Sequence, residues 1–215
     1  MTLNIKKEKG KEILRKLIVQ SDVLVENYRL GTLEKLGFGY ESLRKINPRL
    51  IYCNVTGYGK TGPLAHEAGV DIVVAAEAGL IGITGEKNGP PAKVGVAITD
   101  IITALFAQGA IANALYHREK TGRGQCIDLS LFESQVATLF NMSSSYLISG
   151  QIPQRWGLSH ASIVPYRGYK TKDEEYILVD VTSEKMREKL SKVIDREEQN
   201  QDPSYNINKR LVINL

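Results

Sequence analysis

The chain has 215 residues, of which 42% are hydrophobic and 24% charged, with a formal net charge of +4. That length fits one full domain or a large domain with part of a second, and the apolar content excludes a chain disordered throughout. Apolar stretches such as Ile72–Ala76 and Ile101–Phe106 fall far short of the roughly 18–20 residues of a bilayer span, no short period repeats, and the bases form no stripe for nucleic acid.

In chain order, residues 1–12 are charged and lack the apolar stretch of a signal peptide. Thr2–Ile5 reads as a short strand, as though the chain opened inside a domain. Ile13, Leu14, Leu17 and Ile18 fall at helical spacing, which predicts a helix over Gly10–Gln20. Val23–Glu26 reads as a strand, and Gly31–Leu36 and Tyr40–Ile46 as two short helices, the second stopped by Asn47-Pro48. Leu50–Val55 is almost wholly apolar, as a strand buried on both faces of a parallel sheet is, so strand, helices and strand make a βαβ unit. Val70–Leu80 reads as a helix and Gly82–Pro91 as a loop. Thr99-Asp100 is expected to cap a long helix reaching His117, with Ile101, Ile102, Leu105, Phe106, Gly109 and Ala110 inward. A strand over Gln125–Ser130 and one helix over Leu131–Leu147 follow. Beyond them, Tyr166–Lys170 and Tyr176–Asp180 read as paired strands and Ser183–Ile194 as a helix. The fold class is therefore α/β: a Rossmann-like large domain with an open, mostly parallel sheet over residues 1–150, a linker over 151–162, and the start of a smaller α+β domain over 163–215.

Cys53 and Cys126 lie far apart in apolar runs and the three histidines are isolated, so neither a disulfide framework nor a metal site is expected. Gly57-Tyr58-Gly59-Lys60-Thr61-Gly62 matches G-x-G-x-x-G directly after a strand. Pro63 follows at once and no acid ends a strand at the right distance, which favours a plain glycine-rich loop over dinucleotide binding. Asp71 and Glu77 face different sides of a helix, which points to solvated or capping roles. His160 and Ser162 invite a nucleophile reading, but no G-x-S-x-G elbow exists. Asp100, at a helix start, suits both a plain cap and an ionised nucleophile held by the helix dipole.

Taken together, Asp22-Val23-Leu24-Val25-Glu26-Asn27-Tyr28, Leu36-Gly37-Phe38-Gly39-Tyr40 and Asn47-Pro48-Arg49-Leu50-Ile51-Tyr52 resemble class III CoA-transferases, the group of L-carnitine dehydratase and bile-acid-inducible protein F. Thr56-Gly57-Tyr58-Gly59, Thr61-Gly62-Pro63, Asp71, Thr84-Gly85, Asp100 and Lys120-Thr121-Gly122-Arg123-Gly124-Gln125 extend the likeness over nearly the whole chain. Arg155-Trp156-Gly157, His160 and Ser162-Ile163-Val164-Pro165-Tyr166 resemble the succinate–hydroxymethylglutarate (glutarate) branch.

The resemblance implies that Asp100 is the nucleophile, passing through a mixed anhydride to an aspartyl-CoA thioester. It implies that Asn27, Tyr28, Thr32, Lys35, Leu36, Thr56 and Leu131 line the CoA site. It further implies acyl-CoA and dicarboxylic acids as substrates, no permanently bound cofactor, no metal, no nucleic-acid or membrane partner, an interlocked homodimer and a mitochondrial matrix location, or a cytoplasmic one if no targeting segment is present upstream. Three departures are visible. The family's opening strand, turn and helix have no counterpart, the chain stops where the small domain would continue, and Asp180-Val181-Thr182-Ser183-Glu184 stands where the family has a glycine-rich closing loop. The leading reading is a CoA-transferase acting on short dicarboxylic acids, not competent as this fragment alone; of the alternatives, the missing segments favour a truncated, inactive interaction or dimerisation partner over a misread dinucleotide-binding oxidoreductase.

Overall fold

A computed structural model describes residues 2–200. The chain divides into two compact units, Met1–Gly82 with Lys93–Pro153, and Ile83–Ala92 with Gln154–Leu215.

The first unit is built on a three-stranded parallel sheet, β1 (Val23–Glu26), β2 (Ile51–Thr56) and β3 (Cys126–Ser130), in the order β1-β2-β3. Thr2–Asn4 form no strand, so the one expected at the N-terminus is absent there. Helix α1 (Glu8–Gln20) precedes β1, and the short α2 (Thr32–Lys35) and α3 (Tyr40–Leu43) connect β1 to β2. Asn47 explains how this connection closes on α1: its Nδ2 donates to the carbonyls of Ile18 at 2.9 Å and Ser21 at 3.0 Å.

Strand alternation divides the central strand between two cores. Tyr52 packs with Ile18, Leu33, Phe38, Leu43 and Leu50, under α1–α3. Ile51 and Cys53 point the other way, onto Ile127 and onto Ala107 and Ala114 of α6 (Ile98–Thr121). Ile51, Tyr52 and Cys53 are all 0% exposed, which is why β2 carries an unbroken apolar run. Each side chain so buried contributes about 1.5–3 kcal/mol.

Helix α6 corrects the expected inward face. Its inward stripe is Thr99, Thr103, Ala107, Ala114 and Arg118, while Ile101, Leu105 and Phe106 are 46%, 64% and 45% exposed. The helix is apolar nearly all round, so periodicity does not choose a face; small side chains win because they let it lie close on β2 and β3. By length and composition alone, α6 is also long and apolar enough to cross a membrane.

Between β2 and α6 lie α4 (Asp71–Glu77) and α5 (Leu80–Ile83). The single helix expected over Leu131–Leu147 is two, α7 (Leu131–Thr138) and α8 (Asn141–Ser149), broken where Phe140 takes φ 40°. In the second unit, β4 (Tyr166–Lys170) pairs antiparallel with β5 (Tyr176–Asp180). Helix α9 (Glu184–Val193) follows, and Ser183 caps it by accepting the Met186 N–H at 3.3 Å. The stretch Asp180–Glu184 is thus a strand end and a helix cap, with Val181 buried.

Candidate active site

All three parallel strands end on the same side, with Glu26 in register with Asn54 and Thr56 with Ser130. Crevices at the carboxyl ends of parallel strands are where ligands of open α/β sheets gather. Here a cavity of about 1000 Å³ opens inside the first unit. The end of β1 lends it Asn27, Tyr28 and Arg29, the end of β2 Thr56 and Gly57, the start of α7 Leu131, and α6 Asp100, Thr103 and Ala107.

Five of the residues singled out from the sequence, Asn27, Tyr28, Thr56, Asp100 and Leu131, therefore share one cavity. Thr32, Lys35 and Leu36 are not among its lining residues. Thr32 and Lys35 open and close α2, Lys35 with its side chain exposed, and Leu36 packs against the Tyr52 core. Among the described residues the cation that lines the cavity is Arg29, which adjoins Tyr28 but was not among the residues expected there.

Thr56 is a buried brace. Its Oγ1 accepts the Gly59 N–H at 2.9 Å and lies 3.4 Å from the Leu129 carbonyl, to which it donates, holding the glycine loop to the strand ends. Glu26 is also buried, and its two oxygens accept the Tyr28 N–H at 2.9 Å and the Tyr52 hydroxyl at 3.3 Å. Burial pushes its carboxyl above the usual range, the two hydrogen bonds opposing that rise.

Asp100 is not the cap of its own helix. The N-cap position is Ala97, which offers no side-chain hydrogen bond. The N–H groups of Thr99 and Asp100 instead donate to Oδ2 of Asp71, at 2.8 and 3.2 Å. Asp71 thus has the capping role weighed for it, but on a helix that begins 27 residues later. The Asp100 carboxylate accepts no hydrogen bond among the described residues. Although the residue as a whole is exposed, partial burial of its carboxyl, and then the charge of Asp71, push its pKa above the ordinary value. Such a group, ionised and unengaged beside a cavity, is chemically suited to attack an electrophilic carbon. Among the described residues no three His, Cys, Asp or Glu side chains gather as metal ligands.

The family model for CoA-transferase family III matches residues 1–214. A human succinyl-CoA:glutarate CoA-transferase is 44% identical over 208 residues, covering 97% of this chain and 47% of that protein. A Fusarium pseudograminearum acyl-CoA transferase is 43% identical over 205 residues, covering 95% and 45%. The crystal structure of a CAIB/BAIF family protein from Brucella suis superposes with a TM-score of 0.85 at 40% identity, covering 100% of this chain and 56% of that one. The chain spans about half the length of the relatives it matches.

Proposed function

This chain belongs to CoA-transferase family III, and from that premise we propose that the protein moves CoA between short dicarboxylic acids through a thioester on Asp100. The observation that supports it is a carboxylate without a hydrogen-bond partner among the described residues, in the same cavity as Asn27, Tyr28 and Thr56. Succinyl-CoA is the proposed donor and glutarate or hydroxymethylglutarate the acceptor. The similarity to a succinyl-CoA:glutarate CoA-transferase supports that choice. The mitochondrial location, the interlocked homodimer and the division into a large CoA-binding domain (1–150), a linker (151–162) and a partial small domain (163–215) belong to the same proposal.

The chemistry balances without a metal or a redox group. The Asp100 carboxylate attacks the thioester carbon, the C–S bond breaks, and CoA leaves as a thiolate from a mixed anhydride. The thiolate then attacks the Asp100 carbonyl carbon and expels the donor acid as its carboxylate. An acceptor carboxylate attacks the resulting aspartyl thioester and displaces the thiolate again. Attack of that thiolate on the acceptor carbonyl forms the new acyl-CoA and returns Asp100 to a carboxylate. Arg29 is suited to pair with an anionic group of CoA or of the acid, since a guanidinium matches carboxylate and phosphate geometry.

The test is to extend the chain to the length of its relatives, mix the purified protein with succinyl-CoA, quench with hydroxylamine and map the product by mass spectrometry. A hydroxamate on Asp100, absent in Asp100→Asn, is expected, together with glutaryl-CoA once glutarate is added. An adduct on another carboxylate, or normal turnover by the Asn variant, rules the reading out. Absence of any adduct with short dicarboxylyl-CoA donors favours the inactive interaction partner.

A further inference from the structure

The N-terminus of a helix leaves backbone N–H groups without intrahelical partners, and something must satisfy them. In α6 the cap position is Ala97, which cannot. Asp100 is the third helical residue, where an acid ordinarily turns back onto the helix end. A carboxylate spent in that way would be ordered against its own backbone and shielded from a substrate.

We propose that Asp71 is a positioning residue for Asp100: it takes up the N–H groups at the start of α6, so that the Asp100 carboxylate stays free to meet the substrate. The inference rests on Asp100 being the nucleophile. Oδ2 of Asp71 accepts from Thr99 at 2.8 Å and from Asp100 at 3.2 Å, and Asp71 lines the same cavity. The turn that carries the nucleophile is thereby tied to α4, an element remote in sequence. On its other side, buried Thr99 donates through Oγ1 to Gln135 Oε1 at 2.7 Å, so the turn is held from both α4 and α7.

A neutral cap would satisfy the backbone nearly as well, since Ser, Asn and Asp perform alike at helix ends. What a carboxylate adds is charge. Asp71 raises the proton affinity of Asp100, and a more basic carboxylate is the better nucleophile toward a thioester. The self-repulsion is offset because Asp71 itself sits in the first turn of α4 and receives two N–H groups of α6. Glu26, Arg29 and Glu67 carry the other charges lining the cavity, and substitution of Asp71 leaves them in place.

The test needs neither CoA nor turnover, so its failure is separable from failure of the transferase reading, which adduct formation on Asp100 decides. The Asp100 side chain is titrated by carbon NMR, and amide exchange is followed along α6, in wild type, Asp71→Asn and Asp71→Ala. Asp71→Asn is expected to keep Thr99 and Asp100 amides protected while the Asp100 midpoint shifts down, still short of the ordinary value because burial remains. Asp71→Ala is expected to speed exchange at those two amides by roughly five- to tenfold, the scale of a lost cap. An unchanged Asp100 midpoint in Asp71→Asn overturns the proposal. So does unchanged exchange in Asp71→Ala, and so does exchange that rises equally in every helix, which marks Asp71 as a general stability residue.

Discussion

Gly57 and Gly69 lie back to back, so close that a β-carbon on Gly57 would stand 2.5 Å from the Gly69 nitrogen and one on Gly69 would stand 2.5 Å from the Gly57 α-carbon. The G-x-G-x-x-G signature thus has a structural cause at its first position: two backbones touch where the loop after β2 turns toward α4. The obstacle is backbone, which cannot swing aside as a flexible side chain does. Gly57→Ala is expected to cost about 1–3 kcal/mol, the scale of overpacking. Gly109 supplies the contrast, since a β-carbon there meets nothing within 4 Å and the residue lies inside α6. Gly109→Ala is expected to stabilise by roughly 0.5–1 kcal/mol. Urea unfolding of the two variants checks both signs.

The far end of α6 is fastened by Arg118, whose side chain is 9% exposed. Its Nη1 lies 2.9 Å from the Asp22 carboxylate and 3.3 Å from the Arg49 carbonyl, both just ahead of a strand. Asp22 itself is 76% exposed, so removing Arg118 returns that carboxylate to water at little cost. The loss is then the carbonyl bonds and the packing of the guanidinium stem. Arg118→Ala is expected to destabilise by about 2 kcal/mol and Asp22→Ala by about 1 kcal/mol or less. A double-mutant cycle in urea measures the coupling, and equal losses from the two single variants would contradict the asymmetry.

At the other end, Thr99 and Gln135 are both 0% exposed and joined by a hydrogen bond. Thr99→Val keeps the shape but strands the Gln135 oxygen in the core, so a loss of about 1–3 kcal/mol is expected. Thr99→Ser keeps the hydroxyl and should lose less. Thermal melts of the pair of variants separate the hydrogen bond from the methyl packing.

What was legible in the sequence was local. Val23–Glu26, Tyr166–Lys170 and Tyr176–Asp180 are strands over the expected residues, because turn residues flank each short segment. The central strand could be placed because burial on both faces writes an almost wholly apolar segment. The inward face of α6 could not, since apolar residues surround that helix and the small Thr and Ala stripe carries no periodic signal of its own. The break at Phe140 has no glycine or proline to announce it. At the site, residues at strand ends could be grouped in advance, whereas the capping of α6 by Asp71 joins groups 28 residues apart and leaves no local mark.

The Asp100 carboxyl is held above its ordinary value, first by burial and then by the Asp71 charge. Because the folded pKa is raised, the native chain binds this proton more tightly than the unfolded chain does. The stability so gained is fully present below the unfolded value of 3.8 and is lost as pH rises through the higher folded value. Asp100→Asn is neutral at every pH. Relative to wild type, it should therefore be more stable near neutrality than in acid, with the difference shrinking as pH falls through the raised value. Reactivity runs the opposite way, because only the ionised form attacks a thioester. Hydroxylamine-trapped adduct on Asp100 should accordingly decline on acidification with a midpoint above 3.8. Urea midpoints of both proteins across acid to neutral pH, with adduct yields on the same samples, provide the measurement. A midpoint for adduct loss at or below the ordinary aspartate value would show that neither the cavity nor Asp71 acts on this carboxylate.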